Sequence, residues 1–238
     1  MKGIILAGGK ATRLMPLTKV TSKQLLPVYN KPMVFYPLNT LLQAGIKEVL
    51  IIIAPDYAGH FLHLLGSGRE FKARFTYEIQ EKPRGLADAF IIGKDFMDED
   101  SVAMILGDNI FTDDLSKEIK SFEKGGRVFV KKVSDPERYG VVKFDQDNKA
   151  EKIVEKPKEW ISDYAVTGLY VYDKRVCQFA KELKPSDRGE IEITDINNKY
   201  LELGELDVVP VKGEWFDTGT FDSLLAASNY VAKHNDSK

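Results

Sequence analysis

The N-terminal stretch constrains this chain most, because a short apolar run leads directly into two glycines. Residues 4–7 have the length and composition of a strand buried on both faces. Gly8 and Gly9 then let the backbone turn tightly and bring N–H groups close to a ligand, while Lys10 and Arg13 add positive charge. Parallel α/β sheets usually hold phosphate in such a loop, although an ordinary surface turn has the same short signature.

The charge distribution supports an anion site near the N-terminus. Seven basic residues and no acidic residue precede Glu48, so the first 47 residues carry a charge of +7 in a chain of net charge −2. The remaining residues include 27 basic and 36 acidic ones. A cationic segment within a near-neutral protein indicates a focused anion site, and we expect no nucleic-acid partner.

Length and composition limit the class of protein. A chain of 238 residues fits one large domain or two small ones. Its one cysteine, Cys177, cannot form an internal disulfide and is typical of a reducing compartment. No apolar run approaches the ~20 residues that span a membrane, and no signal peptide is evident, so we expect a cytoplasmic protein without a membrane partner. His60 and His63 are predicted to be a surface pair, not a metal site.

Apolar periodicity predicts regular alternation in the first half of the chain. Strands are predicted at residues 4–7, 49–53, 75–79 and 102–106, and helices at residues 33–44, 56–65 and 86–96. This order predicts an α/β fold with a Rossmann-like, doubly wound, mainly parallel sheet. Ligands bind such a sheet at the carboxyl ends of its strands.

The second half has a different rhythm. Strands are predicted at 128–133, 140–145, 150–155, 164–172 and 206–211, with a hairpin turn at Asp147 and Asn148. Helices are predicted at 115–122, 174–183, 192–203 and 221–233. We expect these antiparallel strands to pack on the same sheet as an added lobe, so that residues 1–238 form a single domain.

Polar side chains follow several of the predicted strands. Asp108 comes directly after strand 102–106, and Asp217, in the motif at 214–220, is a second carboxylate of this kind. Both are candidate metal ligands, although Gly-Asp-Asn is also a common strand-end turn. Two Asp oxygens with phosphates and waters would suit octahedral Mg²⁺. Gln80 carries the donor and acceptor needed to read a base, and Gly85 would let a base lie near the backbone, although the stretch also reads as a polar connection.

The N-terminal motifs match neither the P-loop nor the dinucleotide pattern. The stretch from Gly8 to Thr18, followed by Lys23 to Val28 and Lys31-Pro32, resembles the G-G-x-G-T-R-L-x-P-x-T, K-x-x-x-P-V and K-P signature of sugar-phosphate nucleotidylyltransferases. The longer stretch from Leu17 to Met33 resembles the family branch that acts on glucose 1-phosphate with thymidine nucleotides, and the chain resembles the short form of that branch. Ala11 replaces the third glycine of the family loop, which would cost about 1–2 kcal/mol if the backbone is left-handed there.

The resemblance implies a nucleotide-diphospho-sugar transferase fold and a specific reaction. A Mg²⁺-dependent enzyme would join dTTP and glucose 1-phosphate into dTDP-glucose and pyrophosphate by direct in-line displacement, without a covalent intermediate. Residues of about 1–125 would bind the nucleotide and about 126–238 the sugar phosphate. A uridylyltransferase that prefers UTP and a non-catalytic nucleotide-sugar sensor are the alternatives. A homo-oligomer is expected, and the short form is expected to lack the second, regulatory nucleotide-sugar site of longer members.

The resemblance also implies the site residues. Nucleotide binding would involve Leu6, Gly8, Gly9, Thr12, Arg13, Lys23, Gln80, Gly85 and Asp108. Sugar-phosphate binding would involve Asn109, Tyr139, Gly140, Glu155, Lys156, Val166 and Arg188. The metal ligands would be Asp108 and Asp217. Of the implied catalytic residues, Arg13 would hold the leaving phosphates, Lys23 would stabilise charge on the α-phosphate, and Asp108 would act through the metal.

Overall fold

The computed structural model describes residues 1–9, 11–147 and 149–234, so the predictions for Lys10 and Asn148 lie outside the described residues. The strands of the described part are β1 (Lys2–Ala7), β2 (Pro27–Val28), β3 (Lys31–Pro32), β4 (Glu48–Ile53), β5 (Arg74–Ile79), β6 (Val102–Leu106), β7 (Asn109–Phe111), β8 (Gly126–Lys132), β9 (Gly140–Phe144), β10 (Ala150–Glu155), β11 (Tyr164–Tyr172), β12 (Leu206–Pro210) and β13 (Trp215–Asp217). The helices are α1 (Phe35–Gln43), α2 (Ala58–Leu65), α3 (Asp88–Ile92), α4 (Lys94–Met97), α5 (Ser116–Lys120), α6 (Val176–Glu182), α7 (Ile193–Glu202) and α8 (Phe221–His234).

The central sheet has a topological switch point beside its first strand. The order is β10-β9-β11-β6-β1-β4-β5, with β8 paired to β11 and β12 paired to β8. Strand β1 pairs in parallel with β4 on one side and with β6 on the other. From β1 the chain continues to β4 and β5 on one side of the sheet and then returns to β6 on the other side. An open α/β sheet binds its ligand in the crevice at such a reversal, here at the carboxyl ends of β1 and β6.

The antiparallel strands of the second half continue the same sheet. Strand β11 pairs antiparallel with β6, with Leu169 opposite Ile105. Its other partners, β8 and β9, are also antiparallel. The predicted fold class, a doubly wound and mainly parallel sheet with an added antiparallel lobe, is confirmed.

Apolar side chains cover both faces of the sheet. Along β1 they alternate, so that Ile4 packs in one cluster with α3, α6 and α7 while Ile5 packs in another with α1, α2 and α5. Both side chains are fully buried. The four-residue apolar run thus reflects a strand covered by helices on both sides. None of the helices in the described part is long and apolar enough to cross a lipid bilayer.

The predicted elements differ from the observed ones in two ways. The helix predicted at 86–96 is two short helices separated by Gly93, which packs closely against Ile4 and Leu50 and has ψ near 0°. Strands β2, β3, β7 and β13 were not predicted, because two or three residues carry no periodicity. The last two of these form their own antiparallel ladder, and that ladder shapes the site.

Candidate active site

The ends of β1 and β6 meet at the switch point. Leu6 lies opposite Leu106 in the parallel ladder, and the Gly107 N–H donates to the Leu6 carbonyl oxygen at 2.9 Å. Gly8 and Asp108, each two residues beyond these partners, therefore leave neighbouring strands at the same edge of the sheet. This adjacency brings the glycine-rich loop and the first predicted metal ligand together.

Ala11 has a left-handed backbone, with φ +47° and ψ +42°. The Ala11 carbonyl oxygen accepts hydrogen bonds from the Thr18 hydroxyl at 3.0 Å and the Leu14 N–H at 3.1 Å. These contacts hold a conformation that costs a residue with a Cβ about 1–2 kcal/mol. Ala11 therefore has a left-handed backbone although it carries a Cβ.

Lys23 and Asp108 form an ion pair at the floor of the crevice. The Lys23 ammonium contacts Asp108 Oδ2, and the Asn109 amide donates to Asp108 Oδ1 at 3.2 Å. Burial opposes ionisation of Asp108, but the charge and hydrogen bond of Lys23 outweigh it and lower the pKa of this carboxyl. A carboxylate and an ammonium group thus stand ionised side by side at the switch point.

The β7–β13 ladder places a second carboxyl beside the first. Asp217 lies opposite Asn109 in this antiparallel pair. The buried Thr218 anchors the strand, since its hydroxyl donates to the Asp108 carbonyl oxygen at 2.7 Å and its N–H donates to the same oxygen at 3.0 Å. Burial and the charge of Asp108 raise the pKa of Asp217 to about 6. The two carboxyls, 109 positions apart in the chain, therefore repel each other even with Lys23 beside Asp108.

This pair has the donor chemistry that suits Mg²⁺. Asp108 and Asp217 supply hard oxygen ligands, and their mutual repulsion would be relieved by a divalent ion. Within the described residues no group of three or more His, Cys, Asp or Glu side chains could form a cage. Mg²⁺ is commonly bound by one or two carboxylates that leave its other positions to phosphates and water, so the two aspartates fit that ion.

A cluster of charged side chains lies across the crevice. Glu155 Oε2 accepts from the Thr194 hydroxyl at 2.6 Å, and Glu155 Oε1 lies 3.2 Å from Arg188 Nη2. The same guanidinium lies 2.9 Å from Glu192 and 3.4 Å from Glu190. Partial burial opposes its charge, but the contacts with Glu192 and the other carboxylates raise the pKa of Arg188. Arg188 is therefore a permanent cation that carboxylates surround in the free protein.

The wall between these two groups is aromatic and basic. Trp215 Nε1 donates to Asn109 Oδ1 at 2.6 Å, and its ring packs edge-on against Tyr139 with centroids 5.1 Å apart. Lys156 has a left-handed backbone, φ +43°, and its N–H donates to the Tyr139 carbonyl oxygen at 2.9 Å. Such a conformation is uncommon for a residue with a long side chain and is often found at functional sites.

These groups line one cavity of about 630 Å³. The predicted site residues that line it are Thr12, Arg13, Lys23, Asp108, Asn109, Tyr139, Gly140, Glu155, Lys156, Val166, Arg188 and Asp217. The predicted residues outside its lining are Leu6, Gly8, Gly9, Gln80 and Gly85. A second cavity of about 600 Å³ surrounds Trp160, and none of the predicted site residues lines it.

Gln80 and Gly85 lie beside the glycine-rich loop. Gln80 is buried at the end of β5, and a Cβ placed on Gly8 would lie 2.5 Å from Gln80 Oε1. Gly85 has φ +105°, and a Cβ there would lie 2.6 Å from the Ile191 backbone nitrogen. Gly85 is thus required by its backbone conformation and by the close approach of residue 191, a reason that the sequence did not indicate.

Several side chains at the site are not among the predicted binding residues. Glu192 precedes α7 without capping it, and its carboxylate instead accepts hydrogen bonds from Ser186 at 2.6 Å and from Arg188. Trp215 lay within the motif around Asp217. Asn197 is fully buried beneath the cavity, and Nδ2 of Asn197 has no partner among the described residues. The available signal was position: Asn197 lies one helical turn beyond Thr194 on α7, and Trp215 lies in the motif that contains Asp217.

Comparisons with known proteins agree on one family. The model of the Nucleotidyl transferase family matches residues 2–234. A glucose-1-phosphate thymidylyltransferase of Mycolicibacterium smegmatis is 53% identical over 97% of this chain and 82% of its own length. Its counterpart in Neisseria meningitidis is 51% identical with the same coverage. A solved Bacillus anthracis structure, assigned as a glucose-1-phosphate thymidylyltransferase and in complex with sucrose, has 46% identity and a TM-score of 0.94 over 100% of this chain and 98% of that one.

Proposed function

Because the chain belongs to the Nucleotidyl transferase family, we propose that it transfers a thymidylyl group from dTTP to glucose 1-phosphate, giving dTDP-glucose and pyrophosphate. The observation that carries this proposal is the single cavity at the switch point, which holds Lys23 and Arg13 on one side and Lys156 and Arg188 on the other. The two substrates are both anions, and a cavity with cations on opposite sides can hold both.

The proposed reaction is one direct displacement. A phosphate oxygen of glucose 1-phosphate attacks the α-phosphorus of dTTP, the new P–O bond forms, and the bond to the β-phosphate oxygen breaks as pyrophosphate leaves. Lys23 neutralises charge that grows on the α-phosphate, and Arg13 orients the departing phosphates. Lys156 and Arg188 hold the attacking phosphate in line. When bound by Asp108 and Asp217, Mg²⁺ would supply charge neutralisation of the triphosphate.

In the free protein, carboxylates of the chain pair with the cations that would bind the substrate phosphates. Asp108 pairs with Lys23, and Glu190 and Glu192 pair with Arg188. Substrate phosphates would replace these carboxylates as partners of the cations. The free protein therefore does not bear the free-energy cost of holding the cations partly buried without a partner. The attacking and leaving groups then meet in a site whose positive charges are already positioned.

A substrate matrix tests the proposal. Purified protein is incubated with each of dTTP, UTP, dCTP and ATP against glucose, galactose and mannose 1-phosphates, and pyrophosphate release is measured with and without Mg²⁺. We expect dTTP with glucose 1-phosphate to be fastest, and release to require the metal ion. Faster release with UTP would indicate a uridylyltransferase, and nucleotide binding with no release from any pair would indicate a sensor.

A variant pair links the reaction to this cavity. Asp108→Asn replaces a carboxylate by a poorer ligand for a hard cation, and we expect a loss of at least about 100-fold in kcat. Asp100→Asn is the matched control, because Asp100 is half-exposed and contacts Met1 and Lys2 at the opposite, N-terminal end of β1. Similar activity of the two variants would contradict the assignment of Asp108.

A further inference from the structure

A buried carboxyl outside the cavity lining contacts Gln80, the side chain that packs against Gly8 of the glycine-rich loop. Asp88 is the first residue of α3 and is 1% exposed. Asp88 Oδ2 accepts a hydrogen bond from Gln80 Nε2 at 2.9 Å, and Asp88 Oδ1 accepts one from Arg84 Nη2 at 2.7 Å. A buried carboxylate is costly unless such donors satisfy it, and both oxygens of Asp88 are satisfied. No step of the proposed reaction uses this residue.

The contact with Asp88 fixes the orientation of the Gln80 amide. The oxygen and nitrogen of a glutamine side chain have almost the same shape, so their partners decide which end points where. The Asp88 carboxylate offers only lone pairs to its neighbours, and the atom that faces it must therefore be the donor, Nε2. The carbonyl oxygen of Gln80 is turned the other way.

The freed carbonyl oxygen points at the glycine-rich loop. Gln80 Oε1 lies 2.5 Å from the position that a Cβ on Gly8 would occupy, so a larger residue at position 8 would require Gln80 to shift. Among the described residues, no group donates a hydrogen bond to this oxygen. An amide held this way presents an acceptor, and not a donor, to the loop at which the nucleotide is proposed to bind.

We propose that Asp88 is a positioning residue that sets base specificity, because it holds Gln80 as a pure acceptor toward the base of the nucleotide. This inference rests on the proposed function of the site. A pyrimidine with an N3–H group, thymine or uracil, donates to Gln80 Oε1. Cytosine has a lone pair at N3, which the same oxygen opposes. The site therefore selects for the N3–H of the base, while the 5-methyl group is not read by this contact.

Two variants separate this role from a structural one. Asp88→Asn keeps the shape but offers one donor and one acceptor, so either orientation of Gln80 is satisfied. Arg84→Gln is the matched control, because it removes the other partner of the same carboxylate at a side chain that is 58% exposed. Equilibrium binding of dTTP and of dCTP is measured for wild type and both variants by titration calorimetry, and thermal unfolding confirms that each variant is folded.

We expect wild type to bind dTTP at least about 100-fold more tightly than dCTP. Asp88→Asn should narrow that ratio by about tenfold or more, mainly through tighter binding of dCTP, whereas Arg84→Gln should leave the ratio within twofold. A purely structural role would weaken both nucleotides equally and leave the ratio unchanged. An unchanged ratio in folded Asp88→Asn, an equal change in Arg84→Gln, or equal binding of both nucleotides by wild type would overturn the inference.

A second measurement needs no variant of the protein. Thymidine triphosphate methylated at N3 lacks the donor, and we expect wild type to bind it at least tenfold more weakly than dTTP; equal binding would overturn the inference. Pyrophosphate release is measured in parallel, so the two proposals fail separately. Turnover of dTTP with an unchanged binding ratio contradicts the role of Asp88 alone, while a changed ratio without any turnover contradicts only the proposed reaction.

Discussion

Two residues with side chains adopt left-handed backbone conformations at the candidate site. Ala11 has φ +47° in the glycine-rich loop, and Lys156 has φ +43° at the sugar-phosphate side. Each costs about 1–2 kcal/mol relative to a relaxed conformation, and strain of this kind often accompanies function. At Ala11 the surrounding hydrogen bonds hold the turn, although this residue lacks the freedom of the glycine that the family signature has there.

Replacement of Ala11 by glycine should stabilise the protein. Ala11→Gly removes the left-handed cost, which outweighs the extra entropy of an unfolded glycine, so we expect a gain of up to about 1 kcal/mol in unfolding free energy from urea titration. Ala226→Gly is the control, because Ala226 lies exposed within α8 and the same substitution there should cost about 1 kcal/mol. Destabilisation by both substitutions would contradict the left-handed assignment.

The two glycines of the loop should respond differently to alanine. A Cβ on Gly8 meets the Gln80 side chain, which a hydrogen bond to Asp88 holds in place, whereas nothing lies within 4 Å of a Cβ on Gly9. We therefore expect Gly8→Ala to cost about 1–3 kcal/mol in unfolding free energy without ligand, and Gly9→Ala less than about 0.5 kcal/mol. The comparison is made by urea unfolding of the two variants, and equal losses would show that Gln80 is not packed against Gly8.

At the scale of elements, the short β7–β13 ladder brings the two metal-binding candidates together. Strand β7 begins at Asn109, directly after Asp108, and its partner β13 ends at Asp217. Three residue pairs are enough to fix the register, since Thr218 hydrogen-bonds the Asp108 backbone immediately beyond it. A shift of one residue would turn Asp217 to the other face of the ladder.

Removal of the Thr218 hydroxyl should therefore loosen the carboxyl pair. Thr218→Val deletes the 2.7 Å bond to the Asp108 carbonyl oxygen in a fully buried place, and we expect the Mg²⁺ concentration for half-maximal activity to rise severalfold, with a loss of about 1 kcal/mol in stability. Thr112→Val is the control, because Thr112 accepts the Glu214 N–H at the far end of the same ladder. A Mg²⁺ dependence equal in both variants would argue against a role of the ladder in metal binding.

At the scale of the molecule, one sheet carries both the proposed nucleotide-binding part and the proposed sugar-phosphate-binding part. The antiparallel pairing of β6 with β11 joins the parallel strands to the lobe that bears Glu155 and Lys156. A backbone bond of 2.7 Å from the Ile191 N–H to the Arg84 carbonyl oxygen ties the loop near Gln80 to the segment that holds Arg188. Because the two parts share strands and core clusters, we expect them to unfold together.

Unfolding should consequently be a single transition. Both tryptophans, Trp160 and Trp215, lie in the second part, so their fluorescence reports on that part while far-UV circular dichroism reports on the whole chain. We expect the two signals to give the same urea midpoint within error. A fluorescence transition that clearly precedes or follows the dichroism transition would contradict a single domain over residues 1–238.

Local patterns in the sequence predicted the long elements. These patterns, such as the apolar run at 4–7 and the alternation of helices and strands, involve residues that are close in the chain. They predict structure because each position of an element is either buried or exposed, and burial favours apolar residues. The fold class follows from that order. The resemblance of the N-terminal motifs to a known signature supplied the candidate residues, twelve of which line one cavity.

What the sequence alone determined is thus the kind of sheet and the residues at the ends of its strands. Only the tertiary structure decided which of them face each other: Asp217 beside Asp108 through a ladder of three pairs, and Gln80 turned by Asp88 toward Gly8. The physical reason is that periodicity along a strand specifies only which face each residue occupies. Pairing between distant strands, and the orientation of an amide whose oxygen and nitrogen ends have nearly the same shape, depend on partners that only folding brings within hydrogen-bond distance.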